Sequence, residues 1–307
     1  MKWKGWGVFW LLGLGRLVVP AHAQEEGALK HRLVQWVNWE REAVGQPPVQ
    51  FDELASLVAD RHCREMLAAD YGSPYNQAGL KPYHRYSFAG GTEFVAEIGA
   101  GGVFKGYSPK KALTSFYRAI MAERPPHDRR RREVLNPHHT HLGVGLVAEQ
   151  DRVAITMIFL NRYLHLVPHP RRVRINETVR LSGQPLKGYA VASIALCQEP
   201  LPRPLSPAEL RRKKTYLLPA DRLFLRRQLT NGGYSNGPPG RVEVFADGRF
   251  TVVLPPFTQP GIYTVLIWVE SERKESIPAG LVSLLVSDGS AAAARVEARC
   301  APYLEGG

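Results

Sequence analysis

Apolar positions along the first third of the chain fall at helical spacing. Leu29, Leu33, Trp36, Val37 and Val44 share one face, and Gln46-Pro47-Pro48 stops that helix. Asp52 suits the N-cap of a second helix carrying Leu54, Leu57, Val58, Cys63, Met66 and Leu67. A Gly-, Pro- and Tyr-rich stretch over 71–91 reads as a long loop. Ser108-Pro109 then places a cap and a first-turn proline before a third helix, striped by Leu113, Phe116 and Ile120 and ended by Pro125-Pro126. Residues 142–147 and 153–159 read as strands joined by a polar turn at 149–152.

The pattern changes near residue 165. Val167-Pro168-His169-Pro170-Arg171-Arg172 reads as a stiff, charged linker over 166–175. Short strand-like runs follow at 178–181, 191–196, 215–218, 242–245, 250–254, 263–269 and 281–286, with Asp247-Gly248 as a hairpin turn. About seven short strands with turns between them predict an immunoglobulin-like β-sandwich over 176–288. The Pro-rich stretch 200–207 and the Gly/Asn stretch 231–240 read as loops, and 289–307 as a flexible, small-residue tail.

Composition narrows the class. With 307 residues, 44% hydrophobic and 22% charged, the chain has the apolar mass for a packed core and for two domains. It is not a disordered chain. No apolar run reaches the roughly 20 residues of a membrane span. Residues 1–23 resemble a secretory leader: Lys2 and Lys4, an uncharged stretch over 5–15, and Ala21-His22-Ala23 as the cleavage site, so no stable membrane span is expected after cleavage. Removing Lys2, Lys4 and Arg16 lowers the net charge from +12 to +9. Outside a cytoplasmic membrane such charge favours anionic glycan, lipid or protein partners. The clusters at 129–132, 171–172 and 211–214 lack interleaved aromatics, which argues against nucleic acid. Cys63, Cys197 and Cys300 make no disulfide scaffold; pairing of Cys197 with Cys300 is the one bond left open.

Ordered fragments over about 29–163 carry a family resemblance. Leu33, Asn38, Arg41 and Gly45 fit an opening helix, and Ala59, His62 and Met66 a second. Gly79-Leu80-Lys81-Pro82-Tyr83-His84-Arg85-Tyr86 and Ala89-Gly90-Gly91 fit the loop after it. Ala96-Glu97-Ile98-Gly99-Ala100, Met121-Ala122-Glu123, Val134-Leu135-Asn136-Pro137 and Thr140-His141-Leu142-Gly143-Val144-Gly145 follow in family order. Together they resemble the CAP superfamily (cysteine-rich secretory proteins, antigen 5 and pathogenesis-related type 1 proteins; the SCP domain), most closely its bacterial secreted branch. The resemblance implies an α+β chain: a three-layer α-β-α CAP sandwich over 24–165, then the all-β sandwich.

Many members of that family hold two His and two Glu in a central cleft, and the His pair can bind zinc. Matched residue by residue, Glu97 and Glu123 stand for the acids, but Pro74 stands where the first His would be and Arg130 where the second would be. Proline offers no donor and arginine keeps its proton, so no metal and no other cofactor is expected. The expectation is instead that the Arg130 guanidinium lies between Glu97 and Glu123 and neutralises both. His84 and His127 are the alternative metal ligands, and the run His138-His139-Thr140-His141 a further candidate. Gly143-x-Gly145 is a strand feature, since no helix follows it. Asn176-Glu177-Thr178 fits a glycosylation sequon, relevant only to a eukaryotic secretory pathway. The leading reading is a secreted or periplasmic, non-catalytic binding protein with a His-less cleft of Pro74, Glu97, Glu123 and Arg130. One alternative is a cell-envelope hydrolase using Glu97 and Glu123; another is lipid or sterol binding. Tyr216, Tyr234 and Trp268 are contact candidates on the β-sandwich, equally readable as core.

Overall fold

A computed structural model describes residues 21–220, 222–225 and 241–304. The first half runs α1 (Ala21–Ala43), β1 (Gln50–Phe51), α2 (Glu53–Ala68), α3 (Pro82–Phe88), β2 (Phe94–Lys105), α4 (Pro109–Met121), α5 (Arg129–Val134), β3 (His141–Glu149) and β4 (Arg152–Asn161). Its sheet has the order β1-β3-β4-β2, so β2 lies at an edge. Alternation along β3 and β4 splits their side chains between two helical layers. Leu142, Val144, Leu146, Val153, Ile155, Met157 and Phe159 pack with Leu33 and Val37 of α1 and Leu113, Phe116 and Ile120 of α4. The opposite face receives α2, and there Gly143 and Gly145 matter: a Cβ on Gly143 would stand 2.3 Å from the Ala55 Cβ, and one on Gly145 2.6 Å from the Ala59 backbone. Asp52 caps α2 by accepting the Ala55 N–H, as its position predicts. Arg41, fully buried, donates to the carbonyls of Pro47, Val134, Asn136 and His139, fastening α1 to the segment that leads into β3.

The second half runs β5 (Leu164–Leu166), β6 (Arg172–Arg174), β7 (Arg180–Pro185), β8 (Tyr189–Glu199), α6 (Pro207–Arg212), β9 (Leu223–Leu225), β10 (Arg241–Val244), β11 (Phe250–Val253), β12 (Gly261–Ser271), β13 (Ser276–Ser287) and α7 (Ala291–Leu304). One sheet is ordered β10-β11-β7-β5 and the other β6-β13-β12-β8-β9. Their facing side chains form one core, with Leu181, Phe250 and Val252 against Tyr263, Val265, Ile267 and Val269. The larger sheet is covered on its other face too. Ile262, Leu266, Leu281 and Leu285 join Tyr83, Tyr86 and Phe88 of α3 and Val296, Cys300 and Tyr303 of α7 in a second cluster. Polar contacts key the two halves together: the Ser283 N–H donates to Ser87 Oγ at 2.7 Å, and Asn161 Nδ2 to the Pro278 carbonyl at 2.8 Å.

Several expectations are corrected. Residues 289–307 are not a loose tail through Leu304: alanine-rich sequence is strongly helix-forming, and α7 buries Val296, Cys300 and Tyr303. Residues 166–175 are not a free linker, because β6 pairs in parallel with β13 and Arg171 Nε donates to the Ser87 carbonyl. β4 ends at Asn161 and β5, paired with β7, begins at Leu164, so the sheets change before 165. Residues 71–91 contain α3, and β2 and α6 lie where no element was expected; α6 carries a Ser206/Glu209 capping box. Residues 215–218 form no strand. All three cysteines are buried and no disulfide joins Cys197 to Cys300. Most of the predicted leader (residues 1–20) and the whole 231–240 loop lie outside the described residues. No helix among the described residues is long and apolar enough to cross a membrane.

Candidate functional site

The cleft forms where the loop after α2, strand β2, the turn after α4 and helix α5 converge. Glu97 sits on β2 and points inward, and the side chains of Glu97 and of its partner Arg85 on α3 are both 0% exposed. Arg85 Nη2 donates to Glu97 Oε2 at 2.6 Å. Its Nη1 donates to the carbonyls of Pro74 at 2.6 Å and Leu80 at 3.2 Å. One guanidinium thus ties the Pro74 loop to β2. Burial works against the Arg85 charge, but the adjacent Glu97 carboxylate outweighs it and holds the Arg85 pKa above its ordinary value.

Glu123 is held differently. Its Oε2 accepts the backbone N–H groups of Arg130 at 3.0 Å and Arg131 at 3.2 Å, and its Oε1 accepts Arg130 Nε at 2.5 Å. The Arg130 side chain is 43% exposed, so this pair lies on the rim. The expectation that Arg130 sits between both acids and neutralises both is therefore corrected. Arg130 serves Glu123, while Glu97 belongs to Arg85, whose place on a helix inside the supposed loop hid it.

The histidines do not rebuild a metal centre. Burial lowers the His84 pKa, and its Nδ1 accepts the Lys81 N–H. That leaves Nε2 to donate to Glu199 of β8 at 3.1 Å, so His84 ties the halves together and does not reach the two acids. His127 is exposed in the turn before α5. His138 faces Glu275 at 3.3 Å, His139 bridges Glu133 and Asn161, and His141 meets Arg162 at 2.9 Å, so the run 138–141 parts in three directions. Among the described residues no three His, Cys, Asp or Glu side chains converge as metal ligands. The family's zinc does not fit the residues present: one position lacks a donor, the other carries a cation, and each acid already holds an arginine.

A cavity of about 230 Å³ opens between these elements. Pro74, Glu97, Arg130 and Glu133 line one side, and Lys214, Thr215 and Tyr216 from the second half line the other. Glu133 is held below the ordinary carboxylate range: burial raises its pKa, but the His139 hydrogen bond outweighs that. The Glu97 N–H donates to the Tyr216 hydroxyl at 2.9 Å, and burial pushes the Tyr216 pKa upward. Of the contact candidates among the described residues, Tyr216 reaches the cleft and Trp268 packs with Phe224 and beneath Arg222; Tyr234 lies outside the described residues. Arg85 and Glu133 carried a weak signal, being charged residues next to family-like motifs. Tyr216 was a contact candidate, but nothing in the sequence paired it with Glu97, which it meets across 119 positions of chain.

Residues 34–159 match the model of the CAP: Cysteine-rich secretory protein family. No curated protein matches significantly. Among solved structures, an extracellular protein containing a SCP domain from Bacillus anthracis is similar at 18% identity and TM-score 0.37, over 47% of this chain and 44% of that one. An outer surface protein from Borrelia burgdorferi is similar at 14% identity and TM-score 0.36, over 46% of this chain and 95% of that one. A cysteine-rich secretory protein from Staphylococcus aureus is similar at 14% identity and TM-score 0.31, over 44% of this chain and 39% of that one. The chain thus spans less than half the length of the first and third of these. Residues 34–159 are a CAP domain of the cysteine-rich secretory protein family.

Proposed function

We propose that the protein is an extracytoplasmic binding module whose CAP cleft, bounded by Pro74, Glu97, Glu123 and Arg130, recognises a ligand without cleaving it. The carrying observation is the Arg85–Glu97 pair, fully covered at 2.6 Å. A general acid or base must exchange its proton with substrate or water near neutral pH. A carboxylate locked to a buried guanidinium is a poor candidate for that work, and Glu123 is already spent on two amides and Arg130. The leader-like N-terminus supports export, and the names of two structural relatives, extracellular and outer surface, agree with it.

The test is a calorimetric zinc titration of metal-stripped protein from Gln24 onward, with the Pro74→His, Arg130→His double variant beside it. Assays for hydrolysis of peptidoglycan fragments and casein run on the same samples. The expected result is no stoichiometric zinc uptake and no turnover by the native sequence. One zinc at micromolar affinity, or turnover abolished by Glu97→Gln in a protein that still folds, overturns the binding-only reading and returns the hydrolase.

A further inference from the structure

Residues 211–217 run from the last turn of α6 across the mouth of the CAP cleft as a strap, and what fastens them belongs almost wholly to the other half. Arg211 Nε donates to the Asp70 carbonyl at 2.9 Å, and Lys214 Nζ to the Gly72 carbonyl at 3.1 Å. Ser73 Oγ donates to the Lys213 carbonyl at 2.8 Å, and the Lys213 ammonium stands 4.8 Å over the Tyr75 ring. Lys81 Nζ donates to the Leu217 carbonyl at 3.2 Å. Tyr216 enters the cleft beside Tyr83, 6.2 Å between ring centroids, and takes the Glu97 N–H. That N–H lies on β2, the edge strand of the sheet, where outward amides need a partner from outside.

The orientation of the strap is selective. Leu217, more hydrophobic than its neighbour, is 77% exposed, while Tyr216 goes in. Burial of apolar area alone would favour the opposite. The groove instead offers what a tyrosine and its preceding cations need: an amide donor for the hydroxyl, an aromatic wall, carbonyl oxygens, and the Tyr75 face for an ammonium. We propose that the CAP cleft is a groove for extended peptides in which basic residues precede a tyrosine, and that residues 211–217 are its occupant in cis. A partner segment of the same chemistry takes the groove by displacing the strap. This rests on the reading of the cleft as a binding site.

A tethered occupant competes at an effective concentration near millimolar, so a free peptide meets a mostly filled groove. The probe is a fluorescein-labelled peptide with the sequence of residues 210–219, titrated by polarisation against the full chain and against a variant in which a Gly/Ser hexamer replaces residues 213–218. The expected result is at least about 30-fold tighter binding to the variant, lost when the peptide's tyrosine is replaced by alanine. Equal binding to both proteins, or none to a variant that melts cooperatively, overturns the proposal. Should the variant not fold, limited trypsinolysis decides: cleavage after Lys213 and Lys214 is expected to be slow in the native chain and at least about 10-fold faster in Tyr216→Ala. Equal rates refute the strap. If the variant cleaves the peptide and Glu97→Gln stops it, the peptide groove stands and the binding-only reading falls.

Discussion

Glu97 and Glu123 come from matching positions of one family pattern, yet the fold treats them oppositely. Glu97 is sealed beneath the cleft with Arg85, neither side chain touching solvent. Glu123 sits on the rim, shared between two amides of α5 and a half-exposed Arg130. The difference is dielectric. In the interior two charges lose their hydration and persist only because each is the other's partner, so removing one strands the other. On the rim, water screens the same pair and the loss of either is minor. A carboxylate's role in this cleft therefore depends less on its place in the motif than on the depth to which the fold takes it.

The comparison breaks most visibly at Arg85. Arg85→Met leaves the Glu97 charge buried alone and frees the carbonyls of Pro74 and Leu80, and is expected to cost about 3–5 kcal/mol in urea unfolding. Adding Glu97→Met removes the stranded charge and is expected to recover most of that loss; a double variant no more stable than the single would show that the packing, and not the ion pair, is at fault.

Glu199 is an intermediate case and sharpens the scale. Burial raises its pKa, but His84 and Lys81 outweigh this and bring it to about 2. A depressed folded-state pKa means stability that is fully present above the ordinary carboxylate range and is lost as pH falls through that range toward about 2. Unfolding free energies from urea titrations are expected to fall on the order of 2–3 kcal/mol less between pH 6 and pH 2 in Glu199→Gln than in the native chain. An identical acid limb would refute this role for Glu199.

The rim pair gives the smallest effects. Glu123→Gln weakens two amide bonds at the start of α5 and is expected to cost about 1 kcal/mol by thermal melting. Arg130→Ala is expected to cost between about 0 and 1 kcal/mol, shrinking further in 0.5 M salt. A larger, salt-insensitive loss at Arg130 would erase the contrast between depth and rim.

The sequence by itself determined the helices α1, α2 and α4, the β3–β4 hairpin and the CAP resemblance, and it singled out Pro74, Glu97, Glu123 and Arg130 as candidates, because each rests on periodicity, capping or local motif order. It did not show the partners of those residues. Arg85 was hidden in a run read as loop, since the seven residues of α3 are too few for a periodic signal. Strands β12 and β13, covered on both faces, read as plain apolar runs, so nothing local announced that one face of their sheet packs on the CAP domain. Tyr216 reaches Glu97, Tyr303 donates to Glu65, and Ser283 meets Ser87 across 119, 238 and 196 positions. Such contacts are decided by how whole layers pack, because a side chain's neighbours across the core depend on the summed fit of every surface between them. The tertiary structure alone thus decided which charge meets which, how deeply each acid is buried, and that a segment of the second half lies across the cleft of the first.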